Sequence, residues 1–216
     1  MPEAGDPRLD DLGFLTGLPA APETYIAIGD YYLRHTDTRP DYADSALVYY
    51  DLVLENAPEN LVALNRKGTV LRRLGREEEA AAVFERAIEV DAFYIHTHVN
   101  FGNLLFSQDR LDQAVTEYRI ATTIDSTDAQ VWSNLALAYE KMGKQDPALL
   151  AYYKVAACDP TDPVPWERIA YIYHSRGLYS AARERFQEAL ARDPSRTDLK
   201  ENIRILLDYA DSTGTQ

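Results

Sequence analysis

With 216 residues, 46% of them hydrophobic and 11% aromatic, the chain holds enough apolar surface for a sizeable core and is not a disordered polymer. Its net charge of −13 argues against nucleic acid or an anionic membrane as the main partner, since both require a dominant basic footprint. A single cysteine, Cys158, forms no intramolecular disulfide, and neither an export signal nor an 18-residue apolar run is present, so a soluble cytoplasmic protein is expected.

Residues 1–21 set Pro2, Gly5, Pro7, Gly13, Gly17 and Pro19 among acidic side chains, a composition that breaks helices and predicts a flexible N-terminal arm. Its Leu9, Leu12, Phe14, Leu15 and Leu18 give it the means to dock on a neighbouring surface. From Pro22 to Arg196, apolar residues recur three and four apart in five successive helix pairs, 22–60, 61–94, 95–128, 129–162 and 163–196. The first pair carries Tyr25, Ile28, Gly29 and Tyr32, then Ala46, Tyr50 and Val53. Gly29 to Gly68 is 39 residues but Ala46 to Ala80 is 34, so five extra residues fall between its helices, within HTDTRPDYA.

The second pair carries Leu64, Gly68 and Leu71, a turn at Gly75, then Ala80, Phe84 and Ala87. The third carries Phe101, Gly102, Leu105, Ala114, Tyr118 and Ala121. The last two repeat each other: Trp132/Trp166, Leu135/Ile169, Ala136/Ala170, Tyr139/Tyr173, Gly143/Gly177, Ala148/Ala182, Tyr152/Phe186 and Pro160/Pro194 are each 34 residues apart. Residues 197–210, with Leu199, Ile203, Leu206 and Leu207, read as a capping helix opened by Ser195 or Thr197, and 211–216 as a frayed tail. A fixed period of this length marks stacked repeats, expected to form one continuous array.

These positions resemble the tetratricopeptide repeat, whose pattern runs W-x2-L-G-x2-Y, A-x3-F, P. The last unit shows it through Trp166, Ile169, Ala170, Tyr173, Ala182, Phe186 and Pro194. The resemblance covers most of the chain and implies an all-α fold, a right-handed superhelical solenoid of stacked antiparallel helix pairs. Small residues at Gly29, Gly68, Gly102, Ala136 and Ala170 are expected to let paired helices approach, and large ones such as Tyr139 and Phe186 to fill the gaps. Lys67, Asp109, Ala92 and Ser126 depart from the pattern and are expected to weaken single units.

At 100° per residue, the stripe opposite each packing face holds Val62, Arg66, Thr69 and Arg73; His96, Asn100, Asn103 and Ser107; Gln130, Asn134, Leu137 and Lys141; Val164, Arg168, Tyr171 and Ser175. The first unit adds Glu23, Ala27, Asp30 and Arg34. In the family the chain resembles, this face lines a concave groove that takes extended peptides. The resemblance thus implies a peptide-binding set of Arg66, Thr69, Arg73, His96, Asn100, Asn103, Gln130, Asn134, Lys141, Arg168 and Tyr171. Arg34, Arg66, Arg73, Lys141 and Arg168 against Glu23 and Asp30 predict a locally cationic face, suited to a partner with an acidic stretch or a C-terminal carboxylate. The column Arg66, Asn100, Asn134, Arg168 resembles the asparagine ladders and carboxylate clamps of the family, although Val99 and Val164 stand where a clamp has lysines.

His35, His96, His98 and His174 make no i, i+4 pair suited to a metal. His98 takes the packing place of Trp132 and is expected in the core, and Cys158 is expected to be a small buried hydrophobe. Tyr31, Tyr94, Tyr153, Tyr171 and Tyr179 are the tyrosines expected to be partly exposed. No phosphate-cradling glycine loop, G-x-S-x-G or H-E-x-x-H is present. The sequence therefore predicts a non-enzymatic module without cofactor or metal, holding a segment of another protein as adaptor, co-chaperone or assembly scaffold. The alternative is a self-associating structural protein whose arm or terminal faces drive oligomerisation.

Overall fold

A computed structural model describes residues 21–36, 38, 39 and 41–213, with side chains as far as Leu207, so the expectations for residues 1–20 and 214–216 lie outside the described residues. The described residues form helices and no strands: α1 (Pro22–Arg34), α2 (Tyr42–Asn56), α3 (Leu61–Arg73), α4 (Glu77–Val90), α5 (Ile95–Ser107), α6 (Leu111–Ile124), α7 (Ala129–Lys141), α8 (Gln145–Cys158), α9 (Val164–Ser175), α10 (Tyr179–Arg192) and α11 (Thr197–Thr213). Helix α11 runs three residues past the predicted end of the capping helix. The chain divides into two compact units, one reaching to Leu104 and one starting at Leu105.

In the first unit α1 packs on α2, α2 on α3 and α3 on α4. The closeness of each pair depends on a missing side chain: a Cβ at Gly68 would stand 2.6 Å from Phe84 Cε1, and one at Gly29 would stand 2.6 Å from Tyr50 Cε1. Phe84 and Tyr50 fill these notches and are fully buried. Residues 35–41 separate α1 from α2, whereas only 74–76, 108–110, 142–144 and 176–178 separate the other pairs, so the long first loop is present as expected.

Those four short turns share one chemistry. The residue before each second helix donates its N–H to the carbonyl five residues back, Arg76 to Leu71, Arg110 to Leu105, Lys144 to Tyr139 and Leu178 to Tyr173, at 2.9–3.0 Å. Such a closure needs a left-handed residue, supplied by Gly75, Gly143 and Gly177 at φ 70–73° and by Asp109 at φ 61°. Asp109 thus adopts the glycine conformation rather than abandoning the turn. Asp109→Gly is expected to stabilise the second unit by about 0.5–1 kcal/mol, because relief of the left-handed strain outweighs an exposed ion pair; thermal denaturation checks it.

Second helices end in another repeated device. Asp91, Asp125, Asp159 and Asp193 accept the backbone N–H two residues on, from Phe93, Thr127, Thr161 and Ser195 at 2.8–3.1 Å. The same aspartate bond closes the turn whether proline follows it, as Pro160 and Pro194 do, or Ala92 and Ser126 stand there. Lys67, the remaining departure, reaches Asp51 at 2.6 Å.

His98 is buried as expected, its Nε2 donating 2.9 Å to the Ala92 carbonyl. Trp132 makes the same bond, Nε1 to the Ser126 carbonyl at 2.9 Å. Cys158 is half-buried rather than buried, its Sγ 3.8 Å from the same carbonyl.

In the second unit α6 packs on α7, and α7 to α10 stack in order. Helix α11 buries Leu199 and Leu206 against Ala170, Ala182, Phe186 and Ala189. By the 34-residue period it takes the register of another first helix, with Arg204 where Gly68 or Ala170 admits a partner helix. The Ser195 hydroxyl turns back to Asp193 rather than capping α11. In the first turn, hydrogen bonding to Arg196 holds the Asp198 carboxyl down at about 2. No helix among the described residues is long and apolar enough to cross a membrane.

Candidate functional site

In the first unit, the N-terminal turns of α3 and α5 and the residue before α5 enclose a cavity of about 300 Å³ lined by Val62, Asn65, Arg66, Tyr94, His96 and Asn100. Asn60 caps α3 by accepting the Ala63 N–H at 3.0 Å, which fixes the turn carrying Val62 and Arg66. His96 is exposed and meets the Tyr94 ring edge-on at 5.3 Å between centroids. The cavity therefore combines aromatic and aliphatic walls with an imidazole, a guanidinium and two amides.

Arg66, His96 and Asn100 are the three predicted residues brought together here. Thr69 instead donates its hydroxyl to the Asn65 carbonyl at 2.8 Å. Arg73 turns toward the long first loop, where Nη1 donates to the Leu33 carbonyl at 3.3 Å and Thr36 Oγ1 at 3.0 Å. Asn103 is half-buried. In the second unit Gln130 donates to Asn134 Oδ1 at 3.0 Å, and Tyr171, 44% exposed, receives the Asn202 amide at 3.1 Å.

Three of the five cations predicted on this face already have a carboxylate partner. Arg66 Nε lies 3.1 Å from Asp30 Oδ1, Lys141 Nζ 2.8 Å from Asp109 and Arg168 Nη1 3.6 Å from Glu140. Arg34 Nε donates to the Asp30 backbone carbonyl at 3.2 Å, a neutral partner that leaves its charge in place. Asp109 and Glu140 sit off the helical stripe used for the charge count, which is why counting missed them. A carboxylate approaching Arg66, Lys141 or Arg168 meets an acid already paired with that cation.

Two of these arginines belong to matching triads. Tyr50 donates its hydroxyl to Asp30 Oδ1 at 2.7 Å, and Tyr152 donates to Glu140 Oε2 at 2.6 Å. In each case a second-helix tyrosine, a first-helix carboxylate and the arginine of the following repeat come together. Burial first, then the carboxylate, raises both tyrosine pKa values well above the ordinary 10, so both hydroxyls stay protonated donors. The sequence signal was a tyrosine followed 16 residues later by arginine, Tyr50 to Arg66 and Tyr152 to Arg168. The carboxylates come from positions one helical turn apart, so no fixed column announced them.

Asn65 was also missed. It is 5% exposed, on the boundary between the packing stripe and the open stripe of α3. The only hint in the sequence was a polar residue beside Leu64 in an otherwise apolar row.

Comparison with known proteins agrees with this fold. Models of the tetratricopeptide repeat match residues 61–94, 129–162 and 165–196, and a TPR repeat model matches 102–143. Over 94 residues the chain is 30% identical to the Hsp70-Hsp90 organizing protein of Triticum aestivum; this covers 44% of the chain and only 16% of that relative. The crystal structure of MamA shares 25% identity with a TM-score of 0.68, covering 77% of this chain and 95% of MamA. The pilF protein of Pseudomonas aeruginosa has the same fold, with a TM-score of 0.70 at 18% identity over 90% of this chain and 93% of its own. With the repeat models matching more than half of its residues, the chain belongs to the tetratricopeptide-repeat family.

Proposed function

We propose that this protein is an interaction module that binds an extended segment of a partner protein, with the cavity between α3 and α5 as its principal hold, and that it serves as an adaptor or assembly scaffold. The observation that carries this is the convergence of Val62 and Tyr94, which offer apolar contact, with Arg66, His96 and Asn100, which offer directional hydrogen bonds, around one open cavity. Phe84 seats α3 through the Gly68 notch and meets Phe101 of α5, so the ligand meets a preformed surface and little ordering cost. Family membership, and a relative whose name makes it an organiser of two other proteins, support the adaptor role.

A random 12-residue peptide pool selected on the wild-type protein tests this reading. Selected peptides should lose about tenfold in affinity on His96→Ala/Asn100→Ala, the usual loss for truncating central contacts. Asn134→Ala/Arg168→Ala, whose side chains are engaged within the second unit, should change affinity by less than about twofold. Unchanged binding by the His96/Asn100 variant, read by fluorescence anisotropy, would remove the cavity from the function.

A further inference from the structure

We propose that Asn65 is the positioning residue of this cavity and that, through Asn100, it makes the cavity select an uncharged amide such as a peptide bond over a carboxylate; the proposal rests on the cavity being the binding site. Asn65 Nδ2 donates to the Leu61 carbonyl at 2.9 Å and to Thr97 Oγ1 at 2.8 Å. A backbone carbonyl can only accept, so the Leu61 contact fixes which end of the Asn65 amide is nitrogen. Both of its N–H groups are then spent, and Oδ1 is left as an acceptor. It receives Asn100 Nδ2 at 3.2 Å.

That contact fixes Asn100 in turn. One N–H of Asn100 is held by Asn65, while its second N–H and its Oδ1 make no hydrogen bond among the described residues. Asn100, half-buried on the cavity wall, therefore offers one donor and one acceptor side by side. A peptide bond presents the complementary acceptor and donor. A carboxylate only accepts, and would set its lone pairs against Asn100 Oδ1.

The cation that might reverse this preference is compensated. Arg66 lies 3.1 Å from Asp30 Oδ1, and the same oxygen receives the Tyr50 hydroxyl, which holds the carboxylate in place. A carboxylate ligand would approach Asp30 as well as Arg66. Amide selection is thus built from groups behind the cavity: the buried Asn65 and Thr97 behind Asn100, and Asp30 with the buried Tyr50 behind Arg66.

The test uses the full chain labelled with nitrogen-15, the Asn100 side-chain amide signals being assigned by their loss in Asn100→Ala. The probes are N-methylacetamide, which carries one N–H and one carbonyl, and sodium acetate at matched ionic strength. N-methylacetamide should give saturating shifts of the Asn100 pair, with acetate about fivefold weaker, the effect of one net hydrogen bond. Asn65→Leu should bring that ratio to about one by freeing the Asn100 amide to turn over. Thr97→Val removes a buried hydrogen bond of the same residue yet leaves Asn65 Oδ1 facing Asn100, and should keep the preference.

Acetate binding as well as the amide in wild type, or an undiminished preference in Asn65→Leu, overturns the proposal and leaves the cavity standing as a binding site. Asn100 signals that respond to neither probe overturn the cavity reading and this inference with it. Where Asn65→Leu does not fold, the wild-type ratio decides alone.

Discussion

Phe84→Ala is expected to lower the stability of the first unit by about 3–5 kcal/mol, the range for truncating a fully buried phenylalanine. The ring is 0% exposed and occupies the space that Gly68 leaves open, with Cε1 and Cζ 2.6 and 2.7 Å from where a Cβ would be. It also meets Phe101 at 6.1 Å between centroids. Removing it opens a cavity that the glycine opposite has no side chain to fill.

Gly68→Ala probes the same contact from the other side. Alanine gains about 1 kcal/mol of helix propensity over glycine, but overpacking a tight contact costs about 1–3 kcal/mol, so a net loss near 1 kcal/mol is expected. Ala136 and Ala170 occupy the equivalent positions in their repeats and are fully buried, so an alanine fits where the pair is built around it. Urea denaturation followed by helical circular dichroism measures both variants; a Phe84→Ala loss below that of Gly68→Ala would refute the notch-and-ring account of the pair.

Asp30→Leu is expected to cost about 1.5–3 kcal/mol, the value of hydrogen bonds to a charged group. Asp30 receives the Tyr50 hydroxyl and sits beside Arg66, so its loss strands a fully buried tyrosine's donor and frees the guanidinium together. Tyr50→Phe in the Asp30→Leu background should cost much less than in wild type, since the two changes break one shared interaction. The matching change Glu140→Gln should cost less than Asp30→Leu, because the Glu140 side chain is 38% exposed and Arg168 is 3.6 Å away.

The triad also has a pH signature. The Tyr50 pKa in the folded protein lies above its ordinary value near 10, so its contribution is complete below pH 10 and is lost as the pH rises beyond it. Tyr50→Phe should remove that part of the alkaline loss of stability, and an identical alkaline limb in wild type and Tyr50→Phe would show that the hydroxyl contributes nothing.

The 34-residue period was enough to place each helix, because small residues such as Gly68 and aromatics such as Phe84 recur wherever two helices must approach. It also located Arg66, His96 and Asn100, since the open stripe of a helix follows from its packed stripe by geometry. It failed on charge. The count included Asp30 but saw only residues on the open stripe, while Asp109 and Glu140 reach their partners from outside it.

Local chemistry not on the repeat's consensus was legible in retrospect. Asp91, Asp125, Asp159 and Asp193 are 34 apart, and each closes a turn through a single short side chain. Asp109 replaces a glycine yet keeps its left-handed backbone. Such features depend only on residues near in sequence, which is why turn chemistry alone specifies them.

By itself, then, the sequence determined the family, the helix pairs and the open stripe of each first helix, all consequences of short-range periodicity repeated many times. Only the tertiary structure decided which polar groups on that stripe are free. Asn100 is turned by Asn65 and Arg66 is met by Asp30, contacts spanning 35 and 36 residues that depend on how one repeat is seated on the next. The periodicity specifies that seating only to within a side chain's length, and a hydrogen bond is decided within a few tenths of an ångström.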